Sequence, residues 1–456
     1  MNDTPKIKVV WICHLMNTYI RSHCPVNYLP IWRKFIVNMI KKTTAVKKSE
    51  KSTIMSRIES MLSSYGMQDM AVWNTNAAKY ISEYNDLEVH IVAPLNAIPD
   101  KGVEYQENGI HYHFFHSQSD FPIFKLFSSI KIRLFNKCSR YSINNKRIKR
   151  IVNAINPDII HLIGAECPDF AQSILKLKHD CPVFVQLQAL IFKAYKETGN
   201  SYYKRLADSE ERVLKRADYI GTPLVSFKET IVKELKVQIP FLKTGFALTE
   251  EIVEETQQKH YDFVYFANNI SKAFDLAIEA FRIVHEKHPA VKLDVIGGST
   301  STEMTLYISL VKELGLENSV IFEGKLPTHD DVLKQIRKSR YALLPLKVDY
   351  ISGTIREAMA NGLPVVTTIT EGTPTLNNDN KCVLLSPIGD HQAMADNMIQ
   401  LIEDKELANL LISNSYKMAK KRRSNKEIIE NWHKAYHHIL DNYHNGAEIP
   451  DDLLLH

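Results

Sequence analysis

Residues 348–374 read VDYISGTIREAMANGLPVVTTITEGTP. An apolar run, YALLPL (341–346), precedes them, and a second, PVVTT (364–368), lies within them. Between the two runs the pattern predicts a loop, then a short helix from about Thr354 to Asn361. Gly362 supplies a left-handed stop, and Pro364 prevents continuation. Strand, loop, helix and strand in that order make a unit of a parallel α/β sheet. The loop delivers the first-turn N–H groups of Gly353, Thr354 and Ile355, after Ser352, to the carboxyl end of the strand. That is an anion site without a basic residue, suited to a phosphate or diphosphate. Glu357 sits in the first turn, where the macrodipole favours a carboxylate, and a carboxylate there can accept two hydrogen bonds from a vicinal diol such as a ribose. Asp349, on the preceding loop, is placed to reach a sugar hydroxyl on the far side of the diphosphate.

The same alternation extends over the whole chain. Strand-like runs in the first half are 7–13, 88–94, 110–115, 158–164, 182–188 and 218–223; in the second half they are 262–267, 292–298, 319–324, 341–346, 364–368 and 382–387. Helical stripes separate the later runs: in KAFDLAIEAFRIVHEKH (272–288), Phe274, Ile278, Phe281 and Val284 share one face, and DDVLKQIRKS (330–339) behaves likewise. A chain of 456 residues exceeds the size of one growing core. We therefore expect two doubly wound domains, 1–245 and 246–425, then a helix at 426–443 packing back on the first domain and a loose tail at 444–456. Open sheets of this kind bind ligands beyond the carboxyl ends of their strands, and two facing sheets make a cleft. No G-x-G-x-x-G follows any of these strands, which counts against a dinucleotide-dependent dehydrogenase.

Composition narrows the class further. Apolar residues make up 45% and charged residues 24%, and the net charge of +5 demands neither nucleic acid nor membrane. Cysteines at 13, 24, 138, 167, 181 and 382 form no C-x-x-C pair, which favours reduced thiols and a cytoplasmic setting over disulfides or a zinc knuckle. The start, MNDTPKIKVVWICHLMN, lacks the apolar core of a signal peptide, and no run approaches a membrane span. One stretch is uneven: residues 121–157 hold nine basic residues and no acid, among them Lys146, Arg147, Lys149 and Arg150, interleaved with aromatics. A second basic-aromatic stretch, PIWRKFIVNMIKK (30–42), carries Trp32 and Phe35 on one helical face. Both follow no RNA-binding module. They read either as a contact with anionic lipid at the inner face of the cytoplasmic membrane or as a solvated face.

The block D-Y-I-S-G-T-I-R-E-A-M-A-N-G-L-P-V-V-T-T resembles the donor-site signature of retaining glycosyltransferase family 4, on the GT-B fold. That family has two acids separated by seven residues; Asp349 and Glu357 match the spacing, with Asp where the family usually has Glu. The resemblance continues through KLDVIGG, LGLENSVIFEGKLP and SRYALLPL, and more weakly through EVHIVAP, DIIHLIGAECP and ERVLKRADYIGTP in the first half. It implies that Lys272 contacts the donor diphosphate, although Ala273 replaces the usual Gly and the usual preceding Arg is missing. It places Gly297 and Gly298 at the cleft edge, Gly324, Lys325 and Leu326 beside the nucleotide base, and Thr373 in the same pocket. On the acceptor side His161 stands in a His-x-His position with Ile163 as the second residue, and Glu166 follows; His161 reads equally as a packed strand residue.

The implied activity is retaining, metal-independent sugar transfer from a nucleotide-diphosphate sugar to a glycan or lipid-linked acceptor of bacterial surface polysaccharide synthesis. No other cofactor and no metal ligands are implied, and the chain contains no D-x-D. Competing readings are a sugar-nucleotide epimerase or phosphorylase on the same fold, and a catalytically silent binding or scaffold subunit.

Overall fold

The computed structural model describes residues 5–15, 71–95, 98, 102–117, 141–177, 181–199, 201–248, 252–254, 257–269, 273–299, 301–347 and 352–456. They fall into two units, Met1–Leu248 with Arg423–His456 and Thr249–Arg422.

The first unit holds an eight-stranded sheet. Its strands are β1 (Ile7–Ile12), β2 (Leu87–Leu95), β3 (Val103–Glu107), β4 (Ile110–His116), β5 (Ile159–Ile163), β6 (Val183–Gln186), β7 (Tyr219–Gly221) and β8 (Phe241–Leu242), in the spatial order β3-β4-β2-β1-β5-β6-β7-β8. Its helices in this part of the chain are α1 (Val72–Ile81), α2 (Ser142–Ile155), α3 (Ile191–Thr198), α4 (Ser201–Leu214) and α5 (Val225–Leu235). Parallel strands covered on both faces need near-continuous apolar runs; Val9, Val10, Trp11 and Ile12 of the central β1 are all fully buried, with Val9 and Trp11 in one core layer and Val10 and Ile12 in the other. Strand β3 pairs antiparallel with β4. VEYQE has no apolar run to announce it. Asn108 and Gly109, both at positive φ (47° and 78°), make the tight turn that folds it against β4.

The second unit holds six parallel strands, β9 (Tyr261–Asn269), β10 (Leu293–Gly298), β11 (Val320–Gly324), β12 (Ser339–Leu343), β13 (Val365–Thr368) and β14 (Val383–Ser386), in the order β11-β10-β9-β12-β13-β14. The helices are α6 (Phe274–Lys287), α7 (Ser301–Glu313), α8 (His329–Ile336), α9 (Gly353–Ala360), α10 (His391–Glu403) and α11 (Lys405–Lys421). Local chemistry sets their ends. Thr328 and Asp331 form a reciprocal capping box that starts α8. Helix α9 closes where Gly362 turns to φ +70° and Leu363 N–H donates to the Ala358 carbonyl at 3.0 Å.

The last helix, α12 (Asn425–Asn445), starts at a Ser424–Glu427 capping box and belongs to the first unit. Ile429, Trp432, Tyr436 and Ile439 are fully buried in the same core layer as Trp11. Trp432 Nε1 donates to the Gly245 carbonyl at 3.0 Å, and Trp11 Nε1 donates to the Tyr436 hydroxyl at 2.9 Å. The segment after α12 is not a loose tail. Leu454 bridges antiparallel to Leu242; Lys243 N–H donates to Leu453 O at 2.7 Å, and Leu455 N–H donates to Phe241 O at 2.8 Å. The physical reason is the exposed edge of the two-residue β8, whose free peptide groups need partners, together with burial of Leu453 and Leu455. Among the described residues no helix is long and apolar enough to cross a membrane.

Candidate functional site

In the second unit the chain runs outward from β9 in both directions, to β10 and β11 on one side and to β12, β13 and β14 on the other. The reversal falls between β9 and β12, and ligands of open α/β sheets sit beyond the strand ends at such a point. Lys272 follows β9 and Asp349 follows β12 in sequence, but both lie outside the described residues. Their flanks are described. Asp275, in the first turn of α6, accepts from Lys347 Nζ at 2.8 Å, so an ion pair joins the segments leaving the two central strands. Lys347 is a cation at this edge that the sequence reading left out; its only signal there was a lysine closing the run YALLPLK.

Helix α9 enters next to it. Ser352, its N-cap, is extended (φ −71°, ψ 144°), and the Ser352 and Thr354 hydroxyls are 2.8 Å apart. Ile355 N–H donates to Ser352 O at 3.2 Å and its side chain is fully buried, which leaves Gly353 and Thr354 as the amides ahead of the first helical bond. Apart from its chain neighbours and its own helix's backbone, no described atom lies within 4 Å of where a Cβ of Gly353 would stand. Because α9 already begins at Gly353, Glu357 lies beyond its first turn, which holds no acid; its side chain is 15% exposed and its Oε1 lies 3.6 Å from His329 Nε2 at the start of α8. Burial, with the charge of Arg356 adding to it, holds the Arg422 guanidinium down at about 10.

Two strands further, Gly297 at φ +132° and Gly298 end β10, beside Gly324 at φ +71° at the end of β11. The structure gives Gly298 a reason other than ligand approach. A Cβ there would collide with the methylenes of Lys325, whose stem crosses the strand end; this partial burial also lowers the Lys325 pKa. Leu326 packs against the core layer under α9. Thr373 has a structural place instead of the pocket position expected of it. It is fully buried, its hydroxyl donates to Thr368 O at 2.7 Å and accepts from Thr370 N–H at 2.8 Å, so it closes the turn after β13 and does not line a pocket.

The first unit has its own reversal, between β1 and β5. His14 follows β1 and its Nε2 meets Asp169 Oδ2, which follows β5, at 2.7 Å. Asn74 donates to the His14 carbonyl at 2.8 Å, Asn144 donates to the Asp169 carbonyl at 3.0 Å, and the Phe170 ring stands edge-on to His14 at 4.8 Å. Glu166 lies in the same loop, its carboxyl raised to about 7 by burial against the lowering effect of His14. Fully buried Glu210 accepts from the N–H groups of Ile191 (3.1 Å) and Phe192 (2.8 Å) at the start of α3; burial raises it to about 8, and the charge of Glu166 adds to the shift. His161 is not part of this edge. It is fully buried, its Nδ1 is hydrogen-bonded to the Tyr436 hydroxyl at 2.7 Å and its ring stacks on Phe184 at 4.4 Å. Burial keeps its ring neutral. Its work is to anchor α12.

On α2, Lys146 and Arg150 face outward, whereas Arg147 donates to His116 O at 2.7 Å. Trp32 and Phe35 lie outside the described residues.

Residues 249–418 match the model of the family described as glycosyl transferases group 1. N-acetyl-alpha-D-glucosaminyl L-malate synthase of Bacillus anthracis is 28% identical over 144 residues, 32% of this chain and 37% of that protein. The chain spans between 24% and 44% of the length of the curated relatives it matches. Sucrose-phosphate synthase from Thermosynechococcus elongatus superposes with a TM-score of 0.63 at 16% identity, covering 81% of this chain and 92% of that one. Anabaena HepE, solved in complex with UDP and glucose, gives 0.56 at 15% identity, over 81% and 98% of the two chains. These structural likenesses establish the fold as GT-B.

Proposed function

We propose that the chain moves a sugar from a nucleotide-diphosphate sugar to a glycan or lipid-linked acceptor; the match of residues 249–418 to the group 1 glycosyl transferase model and the GT-B fold support this reading. One observation carries this reading. Beside the topological reversal of the second unit, the start of α9, with the Gly353 and Thr354 amides ahead of its first helical bond, and the little-exposed Glu357 carboxylate share one sheet edge. The UDP and glucose bound in Anabaena HepE support a nucleotide-sugar donor.

In this reading Glu357 accepts the two ribose hydroxyls, and Lys325 with Leu326 flanks the base. The amides of Gly353 and Thr354, with Lys272, take the charge that grows on the diphosphate as it leaves. Oriented donors of this kind stabilise a developing charge without a metal ion. Asp349 orients the transferred sugar. The bond from the anomeric carbon to the diphosphate oxygen breaks as the bond to the acceptor oxygen forms on the same face, so configuration is retained. The acceptor proton leaves with the departing diphosphate, and no enzyme nucleophile takes part. The acceptor side falls to Glu166 with His14 and Asp169, a polar group at the strand ends of the first unit. Lys146 and Arg150 on the outer face of α2 favour a lipid-linked precursor of a surface polysaccharide, met at an anionic leaflet.

The test is calorimetric screening of nucleotide sugars, followed by mass spectrometry of the mixture of the best binder with glycan and lipid-linked acceptors. A glycosylated acceptor with release of nucleoside diphosphate is expected. Conversion of the bound nucleotide sugar to its epimer, phosphate-dependent cleavage of a glycan, or binding with neither transfer nor hydrolysis overturns the reading.

A further inference from the structure

Asp86 lies in the turn before β2, and α12 carries His433 and His437 one helical turn apart on one face. Residues at i and i+4 are surface neighbours on a helix, and the two imidazoles converge on a single carboxylate. His433 Nε2 stands 3.0 and 2.8 Å from the two Asp86 oxygens, and His437 Nε2 stands 2.9 Å from Oδ2. One ligand atom from each of the three lies within 4.8 Å of the others. The ring of Tyr84 stacks on His433 at 4.0 Å and 17°, which fixes the direction of that imidazole. The side chains of Asp86 and His437 are 45% and 43% exposed, so solvent reaches the cluster.

The geometry points to a binding site for a divalent transition-metal ion of the zinc class, held by Asp86, His433 and His437. Two imidazoles and one carboxylate suit Zn²⁺ and Co²⁺ and do not suit Mg²⁺ or Ca²⁺, which take oxygen ligands. Bond lengths of about 2.0–2.2 Å put the ligand atoms of a tetrahedral ion roughly 3.3–3.5 Å apart. The present spacing therefore opens by about half an ångström on loading, which the exposed Asp86 carboxylate supplies by rotation. Water takes the remaining position. The ion ties α12 to the turn between α1 and β2, two segments of the first unit that lie 347 residues apart in sequence. Because the site forms only when α12 is docked, metal affinity becomes docking stability.

A second group, Glu88, His90 and His111, is the internal control. There His90 already uses both nitrogens, Nε2 toward Glu88 at 2.8 Å and Nδ1 toward His113 at 3.1 Å, and its ring stacks flat on His111 at 4.5 Å. An ion has no converging lone pairs to enter.

The experiment uses the tag-free full chain, stripped with EDTA and titrated with ZnCl₂ or CoCl₂ alone. Expected are one ion per chain, visible ligand-field absorption for Co²⁺, and a rise in the thermal midpoint on loading. His437→Ala and Asp86→Asn should each weaken binding at least about tenfold and remove the midpoint rise, while His111→Ala changes neither. Circular dichroism confirms that each variant is folded. Absence of saturable binding, or equal loss in His111→Ala, or unchanged affinity in His437→Ala, overturns the site. Binding is read without any sugar transfer, so this result stands apart from the proposed activity.

Discussion

Replacing Glu357 by Gln removes one charge and one acceptor oxygen while keeping the shape of the side chain. The carboxylate is 15% exposed and lies against His329, so its interactions are only partly screened by solvent. A ribose diol bound to the carboxylate makes two charge-assisted hydrogen bonds, and the amide oxygen can accept only in part what both carboxylate oxygens accepted. Hydrogen bonds to a charged group are worth about 1.5–3 kcal/mol, so nucleotide-sugar affinity should fall roughly tenfold to 150-fold. The helix itself should survive, because Ile355, Ala358 and Met359 hold α9 in its core layer. Isothermal titration with the nucleotide sugar that binds the parent most tightly gives the dissociation constants, and a thermal melt checks the fold. An unchanged constant in a normally melting variant would refute the ribose assignment for Glu357 and move the diol elsewhere on the sheet edge.

Three further outcomes are expected. Asp294 is fully buried on β10, accepts from Gln335 Nε2 at 2.9 Å, and is raised by burial from 3.8 to about 7. Between those pH values the folded chain keeps a proton that the unfolded chain releases, so stability falls as pH rises through that window, by up to about 4 kcal/mol. Asp294→Asn should flatten the difference between urea unfolding at pH 5 and pH 8. Far-UV circular dichroism is the readout, since all four tryptophans (11, 32, 73 and 432) belong to the first unit; an unaltered pH slope counts against a shifted Asp294. Tyr436→Phe strips the partner from Trp11 Nε1 and His161 Nδ1, and should lower the stability of the first unit by about 1–3 kcal/mol in tryptophan-monitored urea unfolding. An unchanged midpoint would show that the hydroxyl bridge contributes nothing. Charge reversal at Lys146, Lys149 and Arg150, with Arg147 spared for its bond to His116, should abolish low-salt co-sedimentation with anionic vesicles, at roughly 1 kcal/mol per basic residue. Equal partitioning of the parent onto neutral and anionic vesicles, or onto neither, leaves α2 as a solvated face.

The elements that sequence exposes are those whose cause is local. Gly362 and Pro364 mark the end of α9 whatever the rest of the chain does, and a buried parallel strand such as VVWI declares itself by composition. What stays hidden depends on distant partners. His161 has the chemistry of a ligand until Tyr436, 275 residues away, places a hydroxyl on its ring. His14 and Asp169 become a pair only when β1 and β5 lie side by side. Gly298 suggested room for a ligand, whereas the room is filled by Lys325 from the next strand. LLL at 453–455 is too short to read as a strand, and needs the bare edge of β8 to become ordered. Asp349 and Lys272, the two residues on which the resemblance leaned hardest besides Glu357, lie outside the described residues, so their roles rest on sequence position.

Because α12 and the segment after it complete a core begun by β1, the two units cannot mature in the order in which their sequences start. Residues 249–422 are contiguous, and their sheet can close as soon as they clear the ribosome. The first unit, already made, still lacks Ile429, Trp432, Tyr436 and Ile439 at that point and exposes the apolar layer they cover. About 200 residues separate its Leu248 from the closing leucines, a delay of roughly 10–40 s at ordinary elongation rates. During synthesis the half-built first unit thus keeps an apolar layer uncovered until α12 is made, while the residues of the other unit are already complete.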